Sequence, residues 1–336
     1  MAAPGRILIL LRPTESPAVN DPQSAHFERS SSIENMKGKT AFITGGASGL
    51  GLAIAKACAA EGMNVVIADL RQSVLDQAVS EFEKNGWPVL GLQLDTSSLA
   101  QYEKAVKAAE DRFGNIHLLI NNAGITCTAG PLHEVSFRDI EIGLDVNLWG
   151  VINGIKLILP HMLEHGEEAH IVSTASMSGL LPTAKCDIYN ITKSAVVALT
   201  ESLAASLIGS NVGVSVFCPG PHDTELGANS EEVQAELAGE KLEKPAPTER
   251  NTLPAYDNSV TRSPAEAGRR VVRGIKRGDL YILTHSEFKP GLAERWDAIM
   301  RAIPDEEPDE RFFKEFAFLA TNPVFNYQQQ VPALEK

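Results

Sequence analysis

A doubly wound α/β fold, one parallel sheet with helices on both faces, is what this sequence predicts, and three observations carry the prediction. Seven short apolar runs alternate with longer helical patterns, a glycine-rich turn joins the first run to the first helix, and polar clusters sit at the ends of several runs. Such alternation is the pattern of strands laid parallel and joined by crossover helices.

The predicted strands are TAFIT (40–44), NVVIA (64–68), VLGLQ (89–93), HLLIN (117–121), HIVST (170–174), GVSVF (213–217) and LYILT (280–284). Each is nearly continuous in apolar character, as strands buried on both faces should be. Helical patterns lie between them at about 50–61, 73–85, 98–113, 136–165, 189–208 and 264–277. No internal repeat is visible, which argues against a solenoid. Residues 1–35 are rich in Pro and Ser, lack periodicity apart from the patch RILILLR, and are expected to be a disordered extension, with ordered pattern starting at Met36. One sheet domain is predicted over 36–285, and helical patches at about 287–303 and 308–319 make 286–336 a helical C-terminal extension.

Composition narrows the function classes. The 336 residues are 43% hydrophobic and carry a formal charge of −13, a balance that suits a globular protein with a small-molecule partner and argues against a nucleic-acid or anionic membrane surface. The four cysteines, Cys58, Cys127, Cys186 and Cys218, show no zinc-like spacing. They predict no metal site and a reducing, cytoplasmic setting. No apolar run approaches the roughly 18 residues of a membrane span.

TGGASGLG (44–51) follows the first strand and opens the first helix. Glycine there lets the backbone approach a pyrophosphate, while the N–H groups and dipole of the helix start favour negative charge. The second strand ends in Asp69, 18 residues beyond Gly51, close to the spacing of roughly 20 at which an acid meets the ribose hydroxyls of NAD. A carboxylate there disfavours NADP, although Arg71 could restore a place for its phosphate. LDTSS (94–98) and NNAG (121–124) close two further strands, and each could equally be a ligand contact or an ordinary cap and turn.

Tyr189 and Lys193 stand four positions apart on a predicted helix, on one face of it. A phenol titrates near pH ~10 and a neighbouring cation favours the phenolate, so the pair is a candidate proton donor and acceptor near neutrality. The same spacing also occurs on ordinary solvated helices.

Taken together, these residues resemble the short-chain dehydrogenase/reductase family. The resemblance rests on TGGASGLG, Asp95, NNAG, Asn147 in VNLWG, Ser176 in STASMSG, YNITK and PGPHDT, in the family's order from about residue 37 to 284, with Tyr189 13 positions after Ser176. It implies a Rossmann fold and an NAD-dependent oxidoreductase. By this resemblance Gly45, Ser48, Gly49, Leu50 and Gly51 hold the pyrophosphate, Asp69 the ribose and Asp95 the adenine. Asn121, Asn122, Ala123 and Gly124 shape the cofactor site, while Pro219, Gly220 and Thr224 lie at the nicotinamide end. The resemblance further makes Tyr189 the acid/base, Lys193 the residue that lowers its pKa and bonds the nicotinamide ribose, Ser176 the holder of the substrate oxygen, and Asn147 the support of a water. Pro221 and His222 depart from the family pattern, which often has a small aliphatic residue at the second position.

The polar, Pro-containing segment between Thr224 and Ser263 is longer than most structureless loops and is expected to be a lid. Its Leu226, Leu253 and Tyr256, with Leu180, Leu181 and Pro182, predict an apolar wall and a bulky hydrophobic or aromatic secondary alcohol or ketone as substrate. The C-terminal extension is similar to that of bacterial family members that oxidise benzylic alcohols of lignin-derived aryl ethers. The resemblance also implies a homodimer or homotetramer paired through the helices at about 136–165 and 189–208. Two rivals stay open: an NADPH-dependent carbonyl reductase of the same fold, and a non-catalytic dinucleotide-binding regulator.

Overall fold

The computed structural model describes residues 32–239 and 257–331. Strands β1 (Thr40–Thr44), β2 (Asn64–Asp69), β3 (Val89–Gln93), β4 (Leu118–Asn121), β5 (Ala169–Thr174), β6 (Val212–Cys218) and β7 (Tyr281–Leu283) form one sheet in the order 3-2-1-4-5-6-7. All neighbouring pairs are parallel. The order reverses between β1 and β4, and open α/β sheets bind ligands in the crevice beyond the carboxyl ends at such a reversal.

Helices α1 (Gly49–Ala60), α2 (Gln72–Lys84) and α3 (Leu99–Phe113) follow the first three strands. After β4 come α4 (Phe137–Leu144), five π-helical residues Asp145–Trp149, and α5 (Gly150–His165). A short α6 (Met177–Leu180) and the long α7 (Asp187–Ser206) precede β6, and α8 (Leu226–Ala238) and α9 (Pro264–Arg277) precede β7. Three helices, α10 (Lys289–Arg301), α11 (Glu310–Ala320) and α12 (Pro323–Gln330), form the C-terminal extension.

Neighbouring strand residues point to opposite faces, and the core divides accordingly. Ile43, Val65 and Ile67 pack with Ile54 of α1, Leu75 of α2 and Val271 and Ile275 of α9 on one face. Phe42 and Val66 pack with Tyr102 of α3, Ile158 of α5 and Val196 of α7 on the other. Each such buried side chain stabilises the fold by about 1.5–3 kcal/mol, so the two-sided apolar strands are what commits the chain to a sheet covered on both faces. The strong ends of α9 also explain its legibility: Pro264 and Glu266 lie in its first turn, Lys276 and Arg277 in its last, and Gly278 follows at φ 68°.

Several expectations need correction. Packed structure starts before Met36, because Ser32 and Ile33 are already buried; residues 1–31, with RILILLR, lie outside the described residues. The edge strand β3 is half-buried, unlike the central strands. Helix α8 occupies the first part of the segment expected to be a loop-like lid, while Leu253 and Tyr256 lie outside the described residues. The continuous helix Phe137–His165 is 29 residues long, and its most apolar 18-residue window, with a mean hydropathy of 1.4, is apolar enough to cross a membrane, although charged and polar residues interrupt it and no unbroken apolar run reaches that length. Of its most apolar window 56% is buried in the molecule, as a helix packed on a sheet requires. Helix α12 was not foreseen; its Gln328 Oε1 accepts the Leu280 N–H at 2.6 Å and covers the sheet edge at β7.

Candidate active site

The turn between β1 and α1 is as tight as its glycines predict. A Cβ on Gly51 would lie 2.0 Å from the Gly45 carbonyl oxygen, so no other residue fits there, and Gly45 itself has φ 59°. Gly45, Ser48, Gly49 and Leu50 line a groove that continues past Asp69, Arg71, Asp95, Asn122, Ala123, Gly124, Lys193 and Thr224. These residues come from the ends of β1, β2, β3 and β4 with the turns and helix start that follow, from α7 (Lys193) and from the loop after β6 (Thr224), the arrangement that a doubly wound sheet provides at its switch point.

Asp69 is buried, and its carboxylate accepts N–H bonds from Ala47 and Arg71, each at 3.2 Å. Burial pushes its pKa up, against the pull of those N–H groups and of the Arg71 guanidinium. It therefore braces the glycine turn as well as facing the groove. Arg71 donates to Ser48 Oγ at 3.2 Å, to Asn229 Oδ1 at 2.7 Å and to Glu232 Oε2 at 3.2 Å, which ties the turn to α8. Asp95 accepts from the N–H and hydroxyl of Ser97 at 2.9 and 2.7 Å while lining the groove, so the turn and contact readings coexist.

Not every predicted residue faces the groove. Asn121 is buried and points at α5, where a Cβ on Gly154 would lie 2.3 Å from its Oδ1, and its amide finds no hydrogen-bond partner among the described residues. Asn122 does line the groove, and its Nδ2 donates to the carbonyls of Thr44 and Gly45, both at 3.2 Å.

Asn147 is fully buried in the π-helical turn. Its Oδ1 accepts from Ile125 N at 2.8 Å, and its Nδ2 donates to Ile125 O at 3.0 Å and Thr192 Oγ1 at 3.2 Å. The π turn thus presents one amide that fastens the strand-end loop to α7. Lys193, also buried, donates from Nζ to Thr174 O at 3.1 Å. A Cβ on Gly124 would meet Asn147 Oδ1 and Lys193 Nζ, each at 3.1 Å, so the two polar ends converge on that glycine.

Ser176 begins α6, where its Oγ accepts from Ser178 N at 3.1 Å and its side chain engages the Tyr189 hydroxyl. Tyr189, Pro219 and Thr224 line both the groove and an adjoining cavity of about 830 Å³. The cavity is walled by Met177, Leu181, Leu226, Phe288 and Cys186, with Ser176 and His222 among its polar residues. Burial pushes the Tyr189 phenol up to about 12, only partly offset by the Ser176 hydrogen bond, and pushes Lys193 down to about 8. Removal from water, which raises the Tyr189 phenol, and the Ser176 hydrogen bond, which lowers it, set this shift; the lowering by Lys193 expected from the resemblance is not among its causes. Burial also holds the Cys127 and Cys218 thiols at about 12, so neither is an activated nucleophile.

Sequence reasoning missed two contributions. Ser230 and Gln234, four apart on α8, clasp the strand-end loop: Thr126 N donates to Ser230 Oγ at 2.9 Å and Gln234 Nε2 donates to Thr126 O at 2.8 Å. Their i, i+4 spacing was the available signal, but it was hidden in a segment whose polarity resembled a loop. The second, Thr284 and His285 beyond β7, had no local signal.

Comparison with known proteins gives a consistent result. Residues 39–235 match the short chain dehydrogenase family model. The chain is 29% identical over 280 residues to a C alpha-dehydrogenase of Sphingobium sp. (strain NBRC 103272 / SYK-6), covering 82% of this chain and 90% of that protein. A short chain dehydrogenase/reductase from Burkholderia phymatum in complex with NAD superposes with a TM-score of 0.74 at 33% identity, covering 82% of this chain and 99% of that one. One from Burkholderia cenocepacia J2315 in complex with NADP superposes with a TM-score of 0.60 at 26% identity, covering 74% and 96%.

Proposed function

This chain belongs to the short chain dehydrogenase family and is a dehydrogenase acting on hydroxyl groups, and on that premise we propose that it transfers hydride between NAD and a bulky hydrophobic or aromatic secondary alcohol or its ketone. The observation that carries the proposal is the junction at Tyr189, Pro219 and Thr224, which line both the nucleotide-type groove and the apolar-walled cavity. A cavity of about 830 Å³ suits a molecule of two or three rings better than a short polyol.

Removing hydride from a carbinol carbon requires its hydroxyl proton to leave as the C=O forms. The phenolate form of Tyr189, its own proton already lost to solvent, takes that proton and becomes the phenol, Ser176 Oγ donates to the oxygen where charge develops, and Lys193 supplies positive charge beside the phenolate. The nicotinamide supplies the hydride acceptor. The groove residues Gly45, Ser48, Gly49, Leu50, Asn122, Ala123 and Gly124 would hold its pyrophosphate and ribose, with Gly51 closing the turn and Asn121 and Asn147 supporting them from behind. In the reverse direction Tyr189, a neutral phenol at pH 7, donates the proton.

Asp69 at the groove supports NAD, since its carboxylate repels a 2′-phosphate and the nearby Arg71 guanidinium is engaged with α8. Arg71 also supports a second reading, an NADPH-dependent carbonyl reductase, because it too lines the groove. Exposed Trp149, Leu163 and Ile191 on the outer faces of the 137–165 helix and α7 support pairing of two copies there. The deciding experiment is NADH formation at mildly alkaline pH over a panel of benzylic, terpenoid and steroid secondary alcohols, with NADP in parallel. Turnover with NAD on one of these classes is the expected result. Preference for a sugar or short polyol overturns the substrate reading, and preference for NADP overturns the cofactor reading. Dinucleotide binding without turnover of any alcohol moves the assignment to a non-catalytic binding protein.

A further inference from the structure

Pro219, Gly220 and Pro221 form the wall between groove and cavity: Pro219 lines both, and Gly220 and Pro221 line the cavity. Neither proline has an N–H, so Gly220 carries the one backbone donor of the three. That N–H donates to Thr284 Oγ1 at 3.0 Å, and the Gly220 carbonyl accepts from His222 Nδ1 at 2.8 Å. A carbonyl can only accept, so the His222 ring proton sits on Nδ1.

The surroundings leave this peptide no room to shift. Thr284 is buried, with its Oγ1 also 2.7 Å from His285 Nδ1. The His285 ring stands edge-on to that of His222 with centroids 5.3 Å apart, and Phe288 packs against it at 6.0 Å. A Cβ on Gly220 would lie 2.6 Å from His285 Nδ1 and 2.8 Å from Phe288 Cε2, so only glycine allows this approach. The flanking carbonyls are anchored as well: Pro219 O accepts from Met177 N at 3.0 Å and Pro221 O from Arg262 N at 3.2 Å. Every polar main-chain group of the turn has a partner.

We propose that Thr284 and His222 are positioning residues that clamp the two peptide groups flanking the Gly220 Cα and thereby set where the nicotinamide end of the dinucleotide lies relative to Tyr189. The proposal rests on the dinucleotide reading above. It gives His222, a departure from the family pattern, a defined task. It also brings the chain beyond the matched stretch 39–235 into the site, through one hydroxyl at the end of β7.

Two matched pairs of variants test it, Thr284→Val against Thr284→Ser and His222→Leu against His222→Asn, since the second of each pair keeps the hydrogen-bonding group. NADH binding is followed by fluorescence, and binding of ADP-ribose, which has no nicotinamide, by calorimetry. Thr284→Val and His222→Leu are expected to weaken NADH about five- to tenfold, the size of one net hydrogen bond, with ADP-ribose within about twofold of the unmodified protein. Thr284→Ser and His222→Asn are expected to bind both ligands nearly as the unmodified protein does. Unchanged NADH binding in the Val and Leu variants overturns the clamp. Parallel loss of ADP-ribose overturns it too, because that marks damage to the whole groove. If the unmodified protein binds neither ligand, the dinucleotide reading itself fails.

Discussion

Replacing Lys193 by methionine should change how stability depends on pH, in a direction and by an amount the structure specifies. Lys193 is 4% exposed, and burial lowers its pKa from 10.5 to about 8. Between those values the unfolded chain holds a proton that the folded chain has released, so the lysine's contribution to stability rises with pH through this window. Below pH 8 the buried ammonium destabilises the fold by about 3 kcal/mol, roughly two and a half pKa units at 1.36 kcal/mol each. The bond from Nζ to Thr174 O at 3.1 Å acts the other way; losing it and leaving that carbonyl unpaired costs about 1–3 kcal/mol. Near pH 7 the variant should therefore unfold at equal or higher urea concentration than the unmodified protein. From pH 7 to pH 10 the unmodified protein should gain about 2.5 kcal/mol relative to the variant. Tyr189, Cys58, Cys127 and Cys218 are all pushed up to about 12 and lower stability in the alkaline range, but they are present in both chains and largely cancel in the difference. Urea unfolding of the two proteins at half-unit pH steps measures that difference directly. A flat or falling difference would refute the claim that Lys193 is held in a desolvated site.

Three further outcomes follow from particular residues. Tyr189→Phe should lower kcat by about 10²–10⁴ while leaving NADH binding within a few-fold, since it removes the proton carrier and little else; unchanged turnover would dismiss the acid/base role. Tyr102→Phe should raise stability by about 1 kcal/mol in chemical denaturation, because the Tyr102 hydroxyl is buried without a hydrogen-bond partner among the described residues, and a clear loss of stability would contradict that reading. Ser230→Ala should lower stability by about 1–2 kcal/mol and raise KM for the alcohol, because it leaves Thr126 N, now bonded at 2.9 Å, unpartnered under α8; an unchanged KM would separate α8 from the substrate side.

How far the sequence could be read depends on the range of the interaction concerned. Strands β1 and β3 were legible to the residue, and α9 as well, because the two-sided burial of β1, the short apolar run of the half-buried β3 and the strong ends of α9 leave marks on consecutive letters. The catalytic candidates were legible because Tyr189 and Lys193 are four apart on one helix and Ser176 opens the short helix just before it. The direction of the Tyr189 pKa was not, since spacing shows which charge is near but not how much water is excluded. Helix α8 was misjudged for a related reason: Ser230 and Gln234 are buried and bonded to Thr126, but in a sequence a buried polar residue and a solvated one are the same letter. Asn121 and Asn122 show the limit most sharply, as adjacent identical residues of which one faces the groove and the other the interior: HLLIN (117–121) places the strand end at Asn121, but the letters do not say which face each side chain takes.

The polar contacts that shape the site join residues far apart in sequence. Arg71 reaches Asn229 across 158 residues, Asn122 reaches Gly45 across 77, and Gly220 reaches Thr284 across 64. Each connects a strand end to a loop or helix from another part of the sheet, and hydrophobic periodicity carries no information about such pairs. It places each strand in a layer and leaves open which strand lies beside which. Once the order 3-2-1-4-5-6-7 is known, the partners become intelligible: β6 lies between β5 and β7, so the turn after β6 faces Ser176 and Met177 beyond β5 on one side and Thr284 beyond β7 on the other. Gly220 then has one place to send its N–H. The Thr284 side of the clamp on the nicotinamide end thus follows from strand order, while its His222 side is a local bond, two residues along the chain from Gly220.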